Sequence, residues 1–260
     1  MKYDTWPIMT RKIKAITFDL WDTVFIDDSD EPKRRASGRA TKAIERRRLV
    51  HEFVNKHSPV SQEIVNAVYD TADAAFRSVW QEQHVTWTVA ERLSIILKGL
   101  GQTLPVPEMD KLIRHHEEME LEFRPDFIEG VHDAIKALHK DYKLGVISDA
   151  IFSPGRVLRT LLEGEGLLQY FDICVFSDEI GHSKPEPVVF QAAFKGFDIE
   201  PGELVHIGDR EHNDIAGPQS LGAKAILCTA AIDRVNAGTN AEATFSNYKD
   251  LPGIIEKLNQ

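Results

Sequence analysis

The sequence predicts an α/β fold, in which a doubly wound parallel sheet carries an inserted all-helical domain. Short apolar segments alternate with helical patterns from residue 124 onward. That alternation is typical of βαβ units in a parallel sheet whose two faces are covered. A similar apolar segment, Ile13 to Phe18, stands far upstream. Residues 26–123, which lie between, have helical periodicity and no convincing strand, so the first strand belongs to a sheet that is completed only after residue 142.

Each element has its own signal. Apolar runs predict strands near residues 144–148, 173–176, 204–207 and 223–228, and a short strand ending at Phe245. Helices are predicted near 130–140, 156–163, 187–194, 215–221 and 251–258, and about four more in the inserted block, near 43–54, 64–79, 89–100 and 107–123. Pro125 marks the second boundary. We therefore predict a Rossmann-like core domain of residues 1–25 and 124–260, and an inserted helical domain of residues 26–123.

Composition narrows the function classes. The net charge of −10 disfavours a general nucleic-acid partner, because binding to phosphate backbones depends on Lys and Arg. No segment approaches the roughly 18 consecutive apolar residues of a membrane helix. The N-terminal residues contain neither a secretory apolar region nor an Arg-rich transit pattern. We expect a cytoplasmic monomer or homodimer, with no membrane partner, that binds a small molecule.

Polar residues follow four of the predicted strands. Asp19 and Asp22 follow the first strand, and Ser148 and Asp149 stand at the tip of the next, in VISDA. The segment HSKPEP carries Lys184, while IGDREHNDIAGP carries Asp209 and Asp214. Each of these residues alone is explained as a helix cap, a surface charge or a charge that favours the helix dipole.

Together these residues fit one chemistry, because the carboxyl ends of parallel strands share one edge of the sheet. Two or three carboxylates there make the hard oxygen site that Mg²⁺ prefers. A lysine and a hydroxyl beside them would hold a transferring phosphoryl group. A carboxylate nucleophile such as Asp19 divides the displacement into two easier steps.

These four segments, in this order, resemble the motifs of the haloacid dehalogenase superfamily of hydrolases. The resemblance implies that Asp19 is the nucleophile and a metal ligand. It implies that Asp214 binds Mg²⁺ directly, Asp209 directly or through water, and Trp21 through its backbone carbonyl. Ser148 and Lys184 would hold phosphoryl oxygens, and the helical block would be the cap that selects the substrate.

Two positions depart from the family's pattern. Phosphatases of the family usually carry an acidic general acid and base two residues after the nucleophile, where this chain has Trp21. An indole N–H cannot do that work, and losing a general acid typically lowers a rate by about 10²–10⁴-fold. Asp22 lies one residue after the position of the usual general acid, so its presence does not prove that it replaces that acid. Asp149 stands where Asn is more usual, beside a site for an anion. We place Trp21, Asp22 and Asp149 among the substrate-binding candidates.

Three hypotheses follow from these residues. The first is a Mg²⁺-dependent phosphatase of a small phosphorylated metabolite that favours good leaving groups. The second is a 2-haloacid dehalogenase, which Trp21 favours and the acidic pair Asp209 and Asp214 opposes. The third is a ligand-binding protein with little or no catalysis.

Other residues of the inserted block carry weaker signals. Its arginine cluster, which includes Arg46 and Arg48, predicts either a solvated face or an anion-selecting patch. Trp80 is predicted to pack in the core of the block.

Overall fold

The structure is a computed structural model that describes residues 12–234 and 238–260. Its strands are β1 Ala15–Phe18, β2 Lys143–Ser148, β3 Ile173–Phe176, β4 Leu204–Gly208, β5 Lys224–Cys228 and β6 Ala243–Phe245. Within the described residues these strands form one sheet in the order β3-β2-β1-β4-β5-β6, and every neighbouring pair is parallel. The predicted α/β fold with a parallel sheet is confirmed. The predicted core domain starts at residue 1, and its residues 1–11 lie outside the described residues.

The helices fall into two groups. Those between β1 and β2 are α1 Asp30–Ala36, α2 Lys42–Asn55, α3 Gln62–Gln83, α4 Val89–Gly99, α5 Val106–Glu117, α6 Met119–Glu122 and α7 Val131–Leu138. Those after β2 are α8 Gly155–Gly164, α9 Ser177–Ile180, α10 Pro187–Phe197, α11 Gly217–Gln219 and α12 Leu251–Leu258. A π-helical turn, Glu211–Ala216, precedes α11, and three 3₁₀ turns span Leu168–Tyr170, Pro201–Glu203 and Tyr248–Asp250.

Side-chain caps fix where three helices of the inserted block begin. The hydroxyl groups of Thr41, Ser61 and Thr88 each accept a hydrogen bond from the backbone N–H three residues later. Such caps satisfy backbone donors that have no partner within the helix. At Thr88 the bond is reciprocated, because Glu91 accepts the backbone N–H of Thr88. These local signals explain why the helical pattern of the block could be read from the sequence.

Two predicted helices differ from the structure. The predicted helix over 107–123 is two helices, α5 and α6, with a break at Glu118. Glu117 and Glu118 both pair with Arg156 of α8, at 2.5 and 2.6 Å, so a contact outside the block accompanies the break. The predicted helix over 215–221 starts earlier as the π-helical turn, where the Asp214 carboxylate accepts the backbone N–H of Arg210 at 2.9 Å.

Strand β1 is the centre of the core. All four of its residues are buried, and successive side chains of a strand point to opposite faces of the sheet. Ile16 and Phe18 belong to the apolar cluster that includes α7, α8 and α12. Ala15 belongs to the cluster on the other face, which includes Phe190 and Phe194 of α10. Helices therefore cover both faces, as a parallel sheet requires.

Helices α2 to α5 bury a separate apolar cluster. Val50, Phe53, Leu93 and Leu112 are among its buried members. This cluster includes none of the strand residues, which supports the proposed assignment of residues 26–123 to a cap domain. Among the described residues, none of the helices combines the length and apolar character needed to cross a bilayer.

Replacing Leu112 with Ala tests the importance of the helical cluster. Leu112 is fully buried, so the substitution leaves a cavity and should lower the free energy of unfolding by about 2–5 kcal/mol. Urea unfolding measures the change. The control is Ile64→Ala, because Ile64 is 52% exposed on α3 and its loss should cost within about 0.5 kcal/mol. Equal losses in the two variants would contradict the assignment of Leu112 to a packed core.

Candidate active site

Side chains from separate segments meet at the carboxyl edge of β2, β1 and β4. Asp19 follows β1, Ser148 ends β2, and Asp209 follows β4. Lys184 lies in the loop before α10, and Asp214 lies in the π-helical turn. Neighbouring parallel strands deliver their carboxyl ends to the same edge, so residues up to 195 positions apart share one site, as the motifs predict.

The ammonium group of Lys184 connects these segments. Its Nζ donates hydrogen bonds to Asp19 Oδ1 at 2.8 Å, to Asp214 Oδ1 at 2.6 Å and to the carbonyl oxygen of Ile147 at 3.1 Å. A lysine has three N–H donors, and all three are used here. The side chain is only 2% exposed. Lys184 therefore neutralises two buried carboxylates that belong to different motifs.

Burial and charge oppose each other at this ion pair. Burial alone would raise the pKa of Asp214, yet Lys184 and His206 hold that pKa well below its usual range. Burial alone would likewise lower the pKa of Lys184, but Asp19 and Asp214 hold it well above the usual range. An opposite charge within hydrogen-bonding distance favours the charged form of each partner. Both groups are therefore ionised at neutral pH.

A second cation, Arg234, lies beside Asp209. Its Nε donates to Asp209 Oδ2 at 2.6 Å, and its Nη2 pairs with Asp22 Oδ2. The other oxygen of Asp209, Oδ1, is buried and has no hydrogen-bond partner among residues 12–234 and 238–260. Burial and the neighbouring Asp19 and Asp214 raise the pKa of Asp209 to about 7. Arg234 follows β5 in an irregular segment and belongs to none of the predicted motifs.

The three carboxylates form a set that fits a divalent cation. Asp19, Asp209 and Asp214 each offer an oxygen, and the three oxygens lie within 4.8 Å of one another. Hard oxygen donors of this kind are the ligands that Mg²⁺ takes. Arg234 contacts only Oδ2 of Asp209, so the buried Oδ1, which has no partner among the described residues, is an acceptor that a divalent cation can use. The residues therefore fit the predicted ion, and the Trp21 carbonyl stays a predicted fourth ligand.

Buried groups behind Asp214 fix its position. His206 Nε2 lies 3.2 Å from Asp214 Oδ1, and His206 Nδ1 lies 2.9 Å from the Thr17 hydroxyl. Burial lowers the pKa of His206, and a neutral ring with its hydrogen on Nε2 satisfies both contacts. A Cβ on Gly208 would lie 2.3 Å from Asp214 Cγ, so only glycine leaves room there. Sequence reasoning missed His206, although a histidine inside an apolar strand next to Asp209 is an unusual residue for a core.

Ser148 and Asp149 have different surroundings. The Ser148 hydroxyl is buried and has no partner in the described part of the chain, so it is available to a ligand oxygen. Asp149 accepts the backbone N–H of Lys184 at 2.9 Å and an N–H of Asn213 at 3.4 Å. Burial raises the pKa of Asp149 to about 7. The Asp149 carboxyl group therefore positions the loop that carries Lys184. Because its pKa is about 7, this group is only partly ionised at neutral pH.

Trp21 and Asp22 lie on the turn after Asp19. Trp21 is half-buried, packs edge-to-face on Phe25 with ring centroids 5.0 Å apart, and lines the cleft above Asp19. Asp22 has a φ of 54° and accepts the backbone N–H of Asp27 at 3.0 Å in addition to its pair with Arg234. Asp22 thus orders this turn, and its predicted part in substrate binding stays a prediction.

A cleft of about 470 Å³ lies over the site. Asp19, Asp149, Lys184 and Asp214 line it on the sheet side. Residues of the helical segment that line it include Lys42, Arg46, Arg77, Trp80 and Glu120. Trp80 is therefore a wall of the cleft, and its predicted place in the core of the block is wrong.

Comparison with known proteins identifies the family. The family model for haloacid dehalogenase-like hydrolases matches residues 13–222. This chain belongs to the haloacid dehalogenase-like hydrolases. The resemblance based on four short motifs is confirmed over the greater part of the chain.

Two relatives of this hydrolase carry phosphatase names. The chain is 32% identical to the pyrophosphatase PpaX of Bacillus mycoides over 151 residues, which span 56% of this chain and 65% of that enzyme. It is 25% identical to the glyceraldehyde 3-phosphate phosphatase of Pyrococcus furiosus over 274 aligned positions, which span 96% of this chain and 95% of that enzyme. The chain thus matches slightly less than two thirds of the pyrophosphatase.

Solved structures support the fold of this hydrolase. A 2-haloacid dehalogenase of Pseudomonas syringae pv. Tomato matches with a TM-score of 0.66 at 23% identity, over 94% of this chain and 99% of the other. A phosphatase of the same family from Thermococcus onnurineus matches with a TM-score of 0.60 at 22% identity, over 94% and 98%. One neighbour is named a dehalogenase and the other a phosphatase, so the fold does not discriminate between the two reactions.

Replacing Asp149 with Asn should stabilise this hydrolase at high pH. Burial raises the pKa of Asp149 from 3.8 to about 7, so the folded chain binds more protons than the unfolded chain between these values. Stability then falls as the pH rises through that range. Asn does not titrate, so Tm of the variant should exceed that of the wild type at about pH 8, and the difference should shrink toward about pH 5.

Differential scanning calorimetry at the two pH values measures this effect. Asp141→Asn, in the exposed turn before β2, is the matched control for the loss of one carboxylate. A Tm difference for the Asp149 variant that stays constant with pH would contradict the raised pKa.

Proposed function

We propose that this hydrolase is a Mg²⁺-dependent phosphatase of a small phosphorylated metabolite, acting through an aspartyl-phosphate intermediate. The observation that carries the proposal is the buried set of Asp19, Asp209 and Asp214, with Lys184 bridging two of them. The phosphatase names of two relatives support it. The helical segment, residues 26–123, would serve as the cap that encloses the substrate.

Asp19 is the proposed nucleophile because its two oxygens differ. Oδ1 accepts a hydrogen bond from Lys184 at 2.8 Å, which fixes the carboxylate. No hydrogen bond to Oδ2 is found within the described residues, and Asp19 lines the cleft. Attack by Oδ2 on phosphorus would form an O–P bond and break the bond to the leaving oxygen. Water would then cleave the aspartyl phosphate and release inorganic phosphate.

The surrounding groups would stabilise the phosphoryl charge. The Ser148 hydroxyl, which lacks a partner among the described residues, would donate to a phosphoryl oxygen. Asp19, Asp209, Asp214 and the Trp21 carbonyl would hold Mg²⁺, which supplies positive charge next to the transferring group. Lys184 orients the carboxylates of Asp19 and Asp214 before the substrate arrives.

Trp21 limits which substrates react quickly. Its indole N–H is too weak an acid to protonate a leaving group at neutral pH, and the ring cannot accept a proton from water. Leaving groups that are stable as anions, such as aryl or acyl groups, need no such proton. We therefore propose slow turnover of alkyl phosphates and preference for phosphates with good leaving groups.

Dehalogenation is the second candidate, and Trp21 is the observation that favours it, since a halide leaving group needs no general acid. The three carboxylates disfavour it, because an attack on carbon needs no divalent cation, and the two cations Lys184 and Arg234 do not balance all three carboxylate charges. Halide release from a 2-haloacid would support this candidate and contradict the phosphatase.

Replacing Asp19 with Asn should lower phosphate release from an aryl phosphate by about 10³-fold or more, because the amide is a poor nucleophile. Chelation of Mg²⁺ should abolish the wild-type activity. Asp141→Asn is again the control. Absence of Mg²⁺-dependent release by the wild type at acidic, neutral and alkaline pH would contradict the proposal. Capture of beryllium fluoride with Mg²⁺ by the wild type, but not by the Asp19 variant, would distinguish an enzyme from a ligand-binding protein.

Replacing Trp21 with Asp should restore the missing acid. A positioned general acid contributes about 10²–10⁴-fold, so we expect kcat for an alkyl phosphate to rise about 10²-fold and kcat for an aryl phosphate to rise less. Trp21→Phe keeps an aromatic ring and is the control. Equal rates of the two variants on the alkyl phosphate would show that Trp21 is not at the acid position.

A further inference from the structure

We propose that the end of the cleft within the helical segment binds a second anionic group of the substrate, through Arg46 and Trp80. This inference rests on the proposed function, because it places the phosphoryl group at Asp19 and the remainder of the substrate toward the helices. It names the substrate class as phosphomonoesters that carry a carboxylate or a second phosphate.

Arg46 on α2 is a buried cation with too few partners. Its side chain is 5% exposed and lines the cleft. Its Nε and Nη2 are buried and donate no hydrogen bond to any described residue. The nearest ion contact among those residues is 3.8 Å, from Nη2 to Glu120 Oε1. A buried charge without hydrogen-bonded partners is costly, so an anion in the cleft would supply acceptors that the Arg46 guanidinium lacks.

The guanidinium of Arg46 is held in place by an aromatic ring. It lies over Phe152 with 3.5 Å between Cζ and the ring centroid. Arg92 lies over the same ring at 4.0 Å, but it also donates to Ile151 O at 2.9 Å and to Asp73 at 2.6 Å. Stacking fixes the plane of a guanidinium without using its N–H groups. Arg46 is therefore oriented for a ligand, whereas Arg92 has protein partners.

Lys42 lies one turn earlier on α2, and its ammonium group already contacts three carboxylates. Its Nζ contacts Asp30 Oδ1 at 2.7 Å, Glu120 Oε1 at 3.1 Å and Asp28 Oδ1 at 3.2 Å. The other oxygen of Glu120 accepts the Ser153 hydroxyl at 2.7 Å. Both oxygens of Glu120 thus have partners in Lys42 and Ser153, while Nε and Nη2 of Arg46 have no hydrogen-bond partner among the described residues.

Trp80 on α3 supplies a second donor without a partner. It lines the same cleft, and its indole Nε1 is buried with no acceptor among the described residues. Arg and Trp side chains donate hydrogen bonds and accept none, so the missing ligand group is an acceptor. The charge of Arg46 makes it an anion, and the planar fork of a guanidinium matches a carboxylate or a phosphate.

Matched esters on one carbon scaffold test the proposal. 3-Phosphoglycerate and glycerol bisphosphate each add an anionic group to glycerol 3-phosphate, one a carboxylate and the other a phosphate. We expect the wild type to favour at least one of them, by kcat/KM, over glycerol 3-phosphate. We define the preference ratio as kcat/KM for the ester with the second anionic group divided by kcat/KM for glycerol 3-phosphate. Arg46→Gln should lower this ratio by about 10²-fold, because it removes charge-assisted hydrogen bonds. Trp80→Phe should lower it by about 10-fold.

The control is Arg48→Gln, two residues along α2, where Arg48 is exposed and pairs with Glu45 and Glu52. It should leave the ratio unchanged. The ester whose ratio falls in Arg46→Gln identifies the anion. Arg46→Lys, which keeps the charge without the fork, should lie between the wild type and Arg46→Gln, and it tests the proposal if the Gln variant does not fold. A ratio that is equal in the wild type and both Arg46 variants would overturn the proposal.

A binding measurement separates this inference from the phosphatase proposal. In the Asp19→Asn background, calorimetric titration should show tighter binding of the preferred ester with a second anionic group than of glycerol 3-phosphate. Adding Arg46→Gln should remove this difference in affinity. This result would support the anion subsite even if the wild type hydrolysed none of the esters. Equal affinities for glycerol 3-phosphate and for both esters with a second anionic group in the Asp19→Asn chain would overturn it.

Discussion

The site depends on the neutralisation of three carboxylates that the fold forces together. Parallel strands β1 and β4 are neighbours, so Asp19 and Asp209 must emerge side by side, and the following turn adds Asp214. Like charges this close would repel unless cations lie among them. Lys184 and Arg234 supply that charge from loops of the same edge. The loops are therefore bound to the site by electrostatics, and a divalent cation would neutralise the carboxylate charge that Lys184 and Arg234 leave.

The sequence predicted the sheet and the central residues because their signals are local. An apolar run ending in Asp19 or Asp209 is visible in a few residues, and the topology of a parallel sheet then brings those ends together. Arg234 and His206 escaped prediction for different physical reasons. The contact of Arg234 depends on the path of an irregular segment after β5, and His206 is hidden in a strand whose inward residues are otherwise apolar. The break at Glu118 was also invisible, because it accompanies contacts with Arg156 of another segment.

The departures from the family pattern have structural consequences of different kinds. Asp149 replaces the usual Asn, yet it forms the hydrogen bonds that position the Lys184 loop, and burial reduces its charge by raising its pKa. Its position is therefore compatible with an anion nearby. Trp21 has no such compensation, because no protonation state of an indole replaces a carboxyl group. Under the proposed function, the sheet edge therefore carries the groups needed for attack on phosphorus and lacks a group that protonates the leaving group.

Arg46 and Arg48 show why the substrate was harder to predict than the reaction. They are two residues apart and chemically identical, so the sequence alone predicts either a solvated face or an anion-selecting patch. Two residues of an α-helix differ by about 200° in direction, and the structure places Arg46 inside the cleft and Arg48 on the surface. The prediction of a solvated face fits Arg48, whereas an anion-selecting role stays a proposal for Arg46. The proposed reaction rests on strand topology, whereas the proposed substrate class rests on the rotation of a single helix, which only tertiary packing determines.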